Sequence, residues 1–304
     1  MIVPAPLKPG DKIGIVAPSR KISRDKLTEA IALIESWGYP VISGDNLYNG
    51  YNQFAGSDED RAADFMWMIN NREIKAVLCA RGGYGAVRIL EMIDPELIRN
   101  NPKWIIGFSD ITALHSYFNK VIACETIHAT MPILFSSELG CNDSWQKLKM
   151  VLQGDSLDYE LPAHELNRPG TANGMLVGGN LSILFSLRGT FCDIDTDGRI
   201  LFIEDLDEYL YHIDRMMMNL KISGKLKNLK GLIIGGMTEM KDNTIPFGKS
   251  AYEIIADAVS NYNYPVAFNF SAGHCEPNLP LLLGRNVSFD VKPDKVTLKF
   301  SNNP

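Results

Sequence analysis

The feature that most constrains this chain is the alternation of short apolar runs with amphipathic stretches over its first ~130 residues. Lys12–Ala17 (KIGIVA), Val41–Ile42, Ala76–Cys79 and Trp104–Phe108 read as strands. Between the first two, Ser23 can cap a helix in which Leu27, Ala30, Ile31 and Ile34 recur at helical spacing, ending at Gly38. Between the next two, Ser57 opens an S-D-E-D helix start whose acids suit the positive end of the helix dipole. Gly44–Gly56 reads as a long loop, and a further helix is expected from about Ala86. Strand–helix alternation of this kind specifies a parallel sheet covered on both faces, with its working site at the carboxyl ends of the strands. Two conspicuous stretches fall at such ends: Arg81-Gly82-Gly83-Tyr84-Gly85, and Ser109 in PKWIIGFSDITALHSYF.

Ser109 follows an apolar strand directly, and Ile111, Leu114 and Phe118 after it have helical spacing. Strand, sharp turn, helix is the geometry of a nucleophile elbow, which lifts the serine Oγ out of the sheet beside the next backbone N–H. The G-x-S-x-G pattern is incomplete, because Ile111 stands at its last place, and a serine opening a helix is more often only an N-cap. The glycine loop fails G-x-G-x-x-G at Arg88, and no G-K-[ST] occurs, so dinucleotide binding is a weak reading. An oxyanion donor suits that loop better if Ser109 is a nucleophile.

The second half is organised differently. From about Pro132 to Gly174 the pattern weakens, with a helical run at Trp145–Leu152. Then come a strand and turn at Gly174–Leu181, the strand Arg199–Ile203 ending in Glu204-Asp205, and a helix over Tyr209–Leu220. Strand Gly231–Gly235, helix Ala251–Val259 and strand Val266–Phe270 follow, the last ending in Ser271-Ala272-Gly273-His274. Alternation in Leu281–Phe300 predicts a terminal hairpin. The expected division is therefore 1–135, an α/β domain with the elbow; 136–173, a connection; and 174–304, a second domain.

A serine needs a base, and the base an orienting acid. Of five histidines, His274 follows a strand into a loop where side chains can reach a cleft; taken alone, it is more often a surface loop residue. His115 and His128 suit core or helix-face positions, His164 the connection, and His212 a structural helix. Glu204 puts a carboxylate at the lip of a buried strand, although Glu204, Asp205, Asp207 and Glu208 could equally be a solvated helix start. No HExxH or CxxC occurs, and His274-Cys275-Glu276 lacks the P-C-x-x-C a zinc deaminase needs, so no metal is expected. Cys275 points away from its neighbour on an extended segment and is poorly placed to act with it. The five scattered cysteines (Cys79, Cys124, Cys141, Cys192, Cys275) suit reduced thiols in a cytoplasm. A net charge of −6 argues against nucleic-acid or anionic-membrane partners. No apolar run approaches a membrane span, and the N-terminus has no signal-peptide core.

In order along the chain, KIGIVAPS, RGGYG, GFSDITALH, GGNLS, LFIEDLDE with YHIDRM, and SAGHCEPNLPLLLG resemble the LD-carboxypeptidase family of serine peptidases. The resemblance implies an N-terminal α/β domain like the class I glutamine amidotransferases and a swivelling, β-rich C-terminal domain. It implies Ser109 as nucleophile, His274 as base and Glu204 as the acid orienting it. The N–H groups of Gly83 and Asp110 would form the oxyanion hole. The implied activity is release of terminal D-alanine from a small muropeptide, without cofactor, by a cytoplasmic homodimer. Two segments depart from the family pattern: His128-Ala129-Thr130-Met131 replaces H-G-P-M, and His212 replaces an arginine. The microcin-immunity branch, which cleaves a peptidyl-nucleotide amide, shares the triad. A non-catalytic small-ligand-binding protein is the rival from another class, and a nucleotide-binding oxidoreductase a distant third.

Overall fold

The computed structural model describes residues 1–136 and 142–301, so Cys141 lies outside the described residues. The N-terminal strands are β1 (Lys12–Val16), β2 (Val41–Ser43), β3 (Ile74–Cys79), β4 (Trp104–Gly107) and β5 (Thr126–His128). They pair in parallel in the order β5-β4-β3-β1-β2. The residues of β1, β3, β4 and β5 are almost all buried, as expected where helices cover both faces, whereas the edge strand β2 is half-buried to exposed. The helices are α1 (Asp25–Ser36), α2 (Asp58–Asn70), α3 (Pro95–Asn100) and α4 (Thr112–Tyr117). Ser57 starts α2 through a capping box: its Oγ accepts from Asp60 N at 3.1 Å, and its own N–H donates to the Asp60 carboxylate at 2.9 Å. A cap of this kind stabilises by about 1 kcal/mol and fixes where Phe65, Met68 and Ile69 enter the core.

After α5 (Asp143–Gln153), β6 (Asp158–Pro162) and β7 (Gly170–Asn180) lead into the second domain. This contains α6 (Leu181–Ser186), β8 (Ile200–Leu206), α7 (Leu210–Ile222), β9 (Gly231–Thr238), α8 (Ala251–Ala258) and β10 (Val266–Ala267). The remaining strands are β11 (Leu281–Leu283), β12 (Asn286–Val291) and β13 (Lys295–Phe300). Seven strands form one sheet in the order β10-β9-β8-β7-β12-β13-β6. The long strand β7 serves both halves of it: its first part pairs antiparallel with β12, and Leu176–Asn180 pair in parallel with β8.

Three local readings change in the structure. The helix expected from Ala86 is a tighter 3-10 stretch, Ala86–Met92, whose first N–H is taken by the Asp110 carboxylate. The expected terminal hairpin is β12 with β13, but Leu281–Leu283 crosses to the first sheet and pairs antiparallel with β5. Ser23 does not cap α1: Arg24 holds the N-cap position in a helical conformation, with no side-chain cap. β11 therefore stitches the C-terminal half of the chain to the edge of the N-terminal sheet. A second stitch is the Asn180 N–H, which donates to Thr112 Oγ1 at 2.9 Å and ties the end of β7 to the start of α4.

Candidate active site

β4 delivers the chain to Ser109 in a conformation few L-residues adopt. Phe108 is extended, and Ser109 has φ 63°, in the left-handed region. For a non-glycine residue this costs about 1–3 kcal/mol and persists only where the surroundings over-determine it. The surroundings do so here. The buried Asp110 carboxylate accepts from Ser19 Oγ at 2.6 Å and from Ala86 N–H at 2.8 Å. The Gly107 carbonyl accepts from His115 Nε2 at 2.9 Å and from Ala129 N–H at 3.1 Å. Burial holds His115 down to about 4, so it acts there as a neutral donor. Ser19 lies at the end of β1, Ala86 follows the glycine loop, and Asp110 is the residue after the elbow. Three strand ends thus lock one turn.

Gly82 packs directly on the serine. A Cβ there would lie 3.0 Å from Ser109 Cβ, 3.1 Å from its Oγ and 3.4 Å from the Asp110 nitrogen. Next along the loop, Gly83 has φ 113°, and its Cβ position is occupied by the side chain of Arg20, with Cδ at 2.5 Å. The two glycines therefore have different neighbours: one faces the elbow, the other an exposed arginine.

Glu204 and His274 come from the second domain. The apolar run of β8 buries Glu204 completely, and the ladder with β9 shifts register between Ile203 and Asp205, where it sits. One carboxylate oxygen accepts from His274 Nδ1 at 2.6 Å and from the His274 backbone N–H at 3.1 Å. The His274 loop is pinned on several sides. Thr238 Oγ1 donates to the His274 carbonyl at 2.8 Å, and Asn278 Oδ1 accepts from Gly273 N–H at 2.8 Å. Asn278 N–H in turn donates to Ser144 Oγ, at the start of α5, at 2.9 Å. Burial disfavours charge on His274, but the Glu204 charge and hydrogen bond outweigh it, so its pKa lies above the ordinary 6.5. With Nδ1–H committed to Glu204, Nε2 remains available. The ring stands 4.7 Å, centroid to centroid, from Phe108, the residue before Ser109.

The other acids of the β8 terminus separate by role. Asp205 accepts from Asn180 Nδ2, Leu206 N–H and Ser182 N–H, each at 2.9 Å, and so organises the start of α6. Burial, then the nearby Glu204 charge, pushes it up to about 7. Asp207 pairs with Lys241, and Glu208 with His212 at 2.5 Å. Of the other histidines, His164 packs on Tyr252 and Phe268. His128 is buried between Phe108 and Phe202, with Nε2 4.0 Å from Glu204. Burial and the neighbouring histidines hold His128 well below 6.5, as a neutral ring. Sequence reasoning passed over Ser19, Thr112 and Asn180. Each stands at a strand end or helix start, which is the only signal they give.

Cys79, Cys124, Cys192 and Cys275 are free thiols whose pKa values burial raises, Cys275 to about 11. Among the described residues no group of three or more His, Cys, Asp or Glu side chains could hold a metal ion. No described helix is long and apolar enough to cross a membrane.

A strained serine whose preceding residue packs on a histidine held by a buried carboxylate is the kind of arrangement found in serine hydrolases. Comparison with known proteins narrows it. Residues 13–129 match the LD-carboxypeptidase N-terminal domain, and residues 173–289 its C-terminal domain. The chain is 36% identical over 298 residues to a probable murein peptide carboxypeptidase of Bacillus subtilis, covering 95% of this chain and 91% of that protein. It is 28% identical to a murein tetrapeptide carboxypeptidase of Pseudomonas aeruginosa, over 88% of this chain and 89% of that one. The crystal structure of a muramoyltetrapeptide carboxypeptidase from Oxalobacter formigenes superposes with a TM-score of 0.87 at 27% identity, covering 96% and 99% of the two chains. The microcin immunity protein MccF, solved with glutamyl sulfamoyl guanosine, shares the fold along the whole of both chains, with a TM-score of 0.89 at 21% identity. The chain belongs to the LD-carboxypeptidase family and is a serine carboxypeptidase.

Proposed function

We propose that this enzyme releases terminal D-alanine from a muropeptide tetrapeptide through a Ser109–His274–Glu204 triad. The observation that carries the reading is the fully buried Glu204 bound to His274 Nδ1 at 2.6 Å, with the His274 ring against the residue preceding a strained serine. Substrate choice rests on the relatives, two of which are named for murein peptides and one for muramoyltetrapeptide. Glu204 fixes the tautomer that presents unprotonated Nε2, and it stabilises the imidazolium that forms as His274 takes the Ser109 proton. The hydroxyl oxygen attacks the carbonyl carbon, and the oxyanion is held by backbone N–H groups, for which Gly83 and Asp110 are the candidates. A donor of this type is worth ~3–4 kcal/mol in the barrier. His274 then protonates the leaving amine, and water, deprotonated by the same histidine, resolves the acyl-enzyme. Site and substrate lie between two domains, where ligand pockets are common.

The test offers purified protein a tetrapeptide and, separately, an aminoacyl sulfamoyl nucleotide, with products identified by mass. Release of alanine from the first and no cleavage of the second supports this reading. The reverse pattern replaces it with the microcin-immunity activity, and binding without turnover of either replaces it with a binding protein.

A further inference from the structure

A carboxypeptidase must read the free carboxylate beside the bond it cuts. That carboxylate carbon lies only about 4 Å from the attacked carbonyl carbon. Arginines surround the glycine loop next to Ser109, and most of them are occupied. Arg61 is buried, bonded to the Pro18 and Gly85 carbonyls and paired with Asp58. Arg88 makes a two-point contact with Asp58 at 2.6–2.9 Å. Arg81 donates to the Lys21 carbonyl at 3.0 Å. Arg20 is different. It is exposed, its side chain lies along Gly83, and no carboxylate among the described residues pairs with it. Burial and then the Arg20 charge hold Arg81 below its ordinary value, so the two guanidinium groups lie near one another, and the nearby Asp110 carboxylate, which also feels Arg20, is already bonded to Ser19 and Ala86. On the other side of the same two-glycine step stands Ser109, in contact with Gly82.

Resting on the carboxypeptidase reading above, we propose that Arg20 binds the free C-terminal carboxylate of the substrate and so makes the enzyme an exopeptidase. A guanidinium suits the task, since its planar fork meets a carboxylate in two parallel hydrogen bonds. Its position across the glycine loop lets one backbone step serve both the reacting carbonyl and the terminus beyond it.

The experiment measures kcat/KM for three probe peptides: a tetrapeptide with diaminopimelate at its third position and a free terminus, its C-terminal amide, and the free-terminus tetrapeptide with lysine at the third position. Wild type, Arg20→Gln and Arg20→Lys are compared. The expected result is a loss of ~10- to 100-fold for Arg20→Gln on the free acid, mostly in KM, with partial rescue by Arg20→Lys. The preference of wild type for acid over amide collapses in Arg20→Gln, while the lysine peptide still shows the full penalty. An unchanged acid-to-amide preference in Arg20→Gln would overturn the proposal. So would a penalty that disappears with the lysine peptide, because Arg20 would then be reading the diamino acid. Failure of wild type to release alanine from any of the three is a separate outcome: it removes the carboxypeptidase reading, and this inference with it.

Discussion

Replacing Glu204 by glutamine tests the electrostatic core of the account. The substitution keeps the size of the side chain and removes the charge facing His274 Nδ1 at 2.6 Å. A charge-assisted hydrogen bond contributes about 1.5–3 kcal/mol, so the plateau rate falls at least ~10- to 150-fold. Where the amide also turns the imidazole to the wrong tautomer, the fall approaches ~10⁴-fold. The pH profile carries the more specific signal. In wild type His274 has a raised pKa, so kcat/KM rises with pH to a midpoint above 6.5. In Glu204→Gln burial is opposed only by the weaker pull of the Asp205 and Glu239 charges, and the midpoint moves down. Stability shifts in the matching sense. A folded pKa above the unfolded one contributes stability that is fully present below ~6.5 and is lost as pH rises through the folded value. Thermal unfolding followed against pH therefore shows this contribution in wild type and not in the variant. An acid limb that stays in place while the rate falls would refute the reasoning, since Glu204 would then be acting through something other than the charge of His274.

Further outcomes follow from the same contacts. Ser109→Gly relieves a left-handed residue, raising stability by about 1 kcal/mol, or Tm by about 2 °C, while turnover drops by at least ~10³-fold; calorimetry and a rate assay check the two halves. Gly82→Ala puts a methyl 3.0 Å from Ser109 Cβ and lowers kcat ~10- to 100-fold, with a smaller change in KM. Asp110→Leu strands the Ser19 hydroxyl and the Ala86 N–H in a buried site and destabilises the protein by about 2–6 kcal/mol, read from denaturant unfolding. Iodoacetamide at neutral pH leaves activity intact, because the described thiols are held protonated, whereas a serine-directed phosphonate abolishes it.

The parts of this structure legible in the sequence are those written locally. β1, β3 and β4 announce themselves as apolar runs, and the capping box at Ser57 as S-D-E-D. Ser109, Glu204 and His274 can be singled out because each follows such a run, although joining them in one site came from the family resemblance and not from their spacing. What the sequence hides is long-range. Ser19 meets Asp110 across 91 positions, and nothing near Ser19 encodes that partner. Leu281–Leu283 looks like the start of a hairpin, because an apolar triplet does not say which sheet will receive it. Arg20 reads as one more charged loop residue until folding puts it against Gly83. The 3-10 stretch at Ala86–Met92 has helix-like spacing, and only its anchoring to the buried Asp110 tightens it.

The most direct measurement is the mass of a muropeptide tetrapeptide after incubation with wild-type enzyme and with Ser109→Ala. The account predicts loss of one alanine with wild type and an intact peptide with the variant. Equal release by both proteins would contradict it, because the elbow serine would then not be the nucleophile.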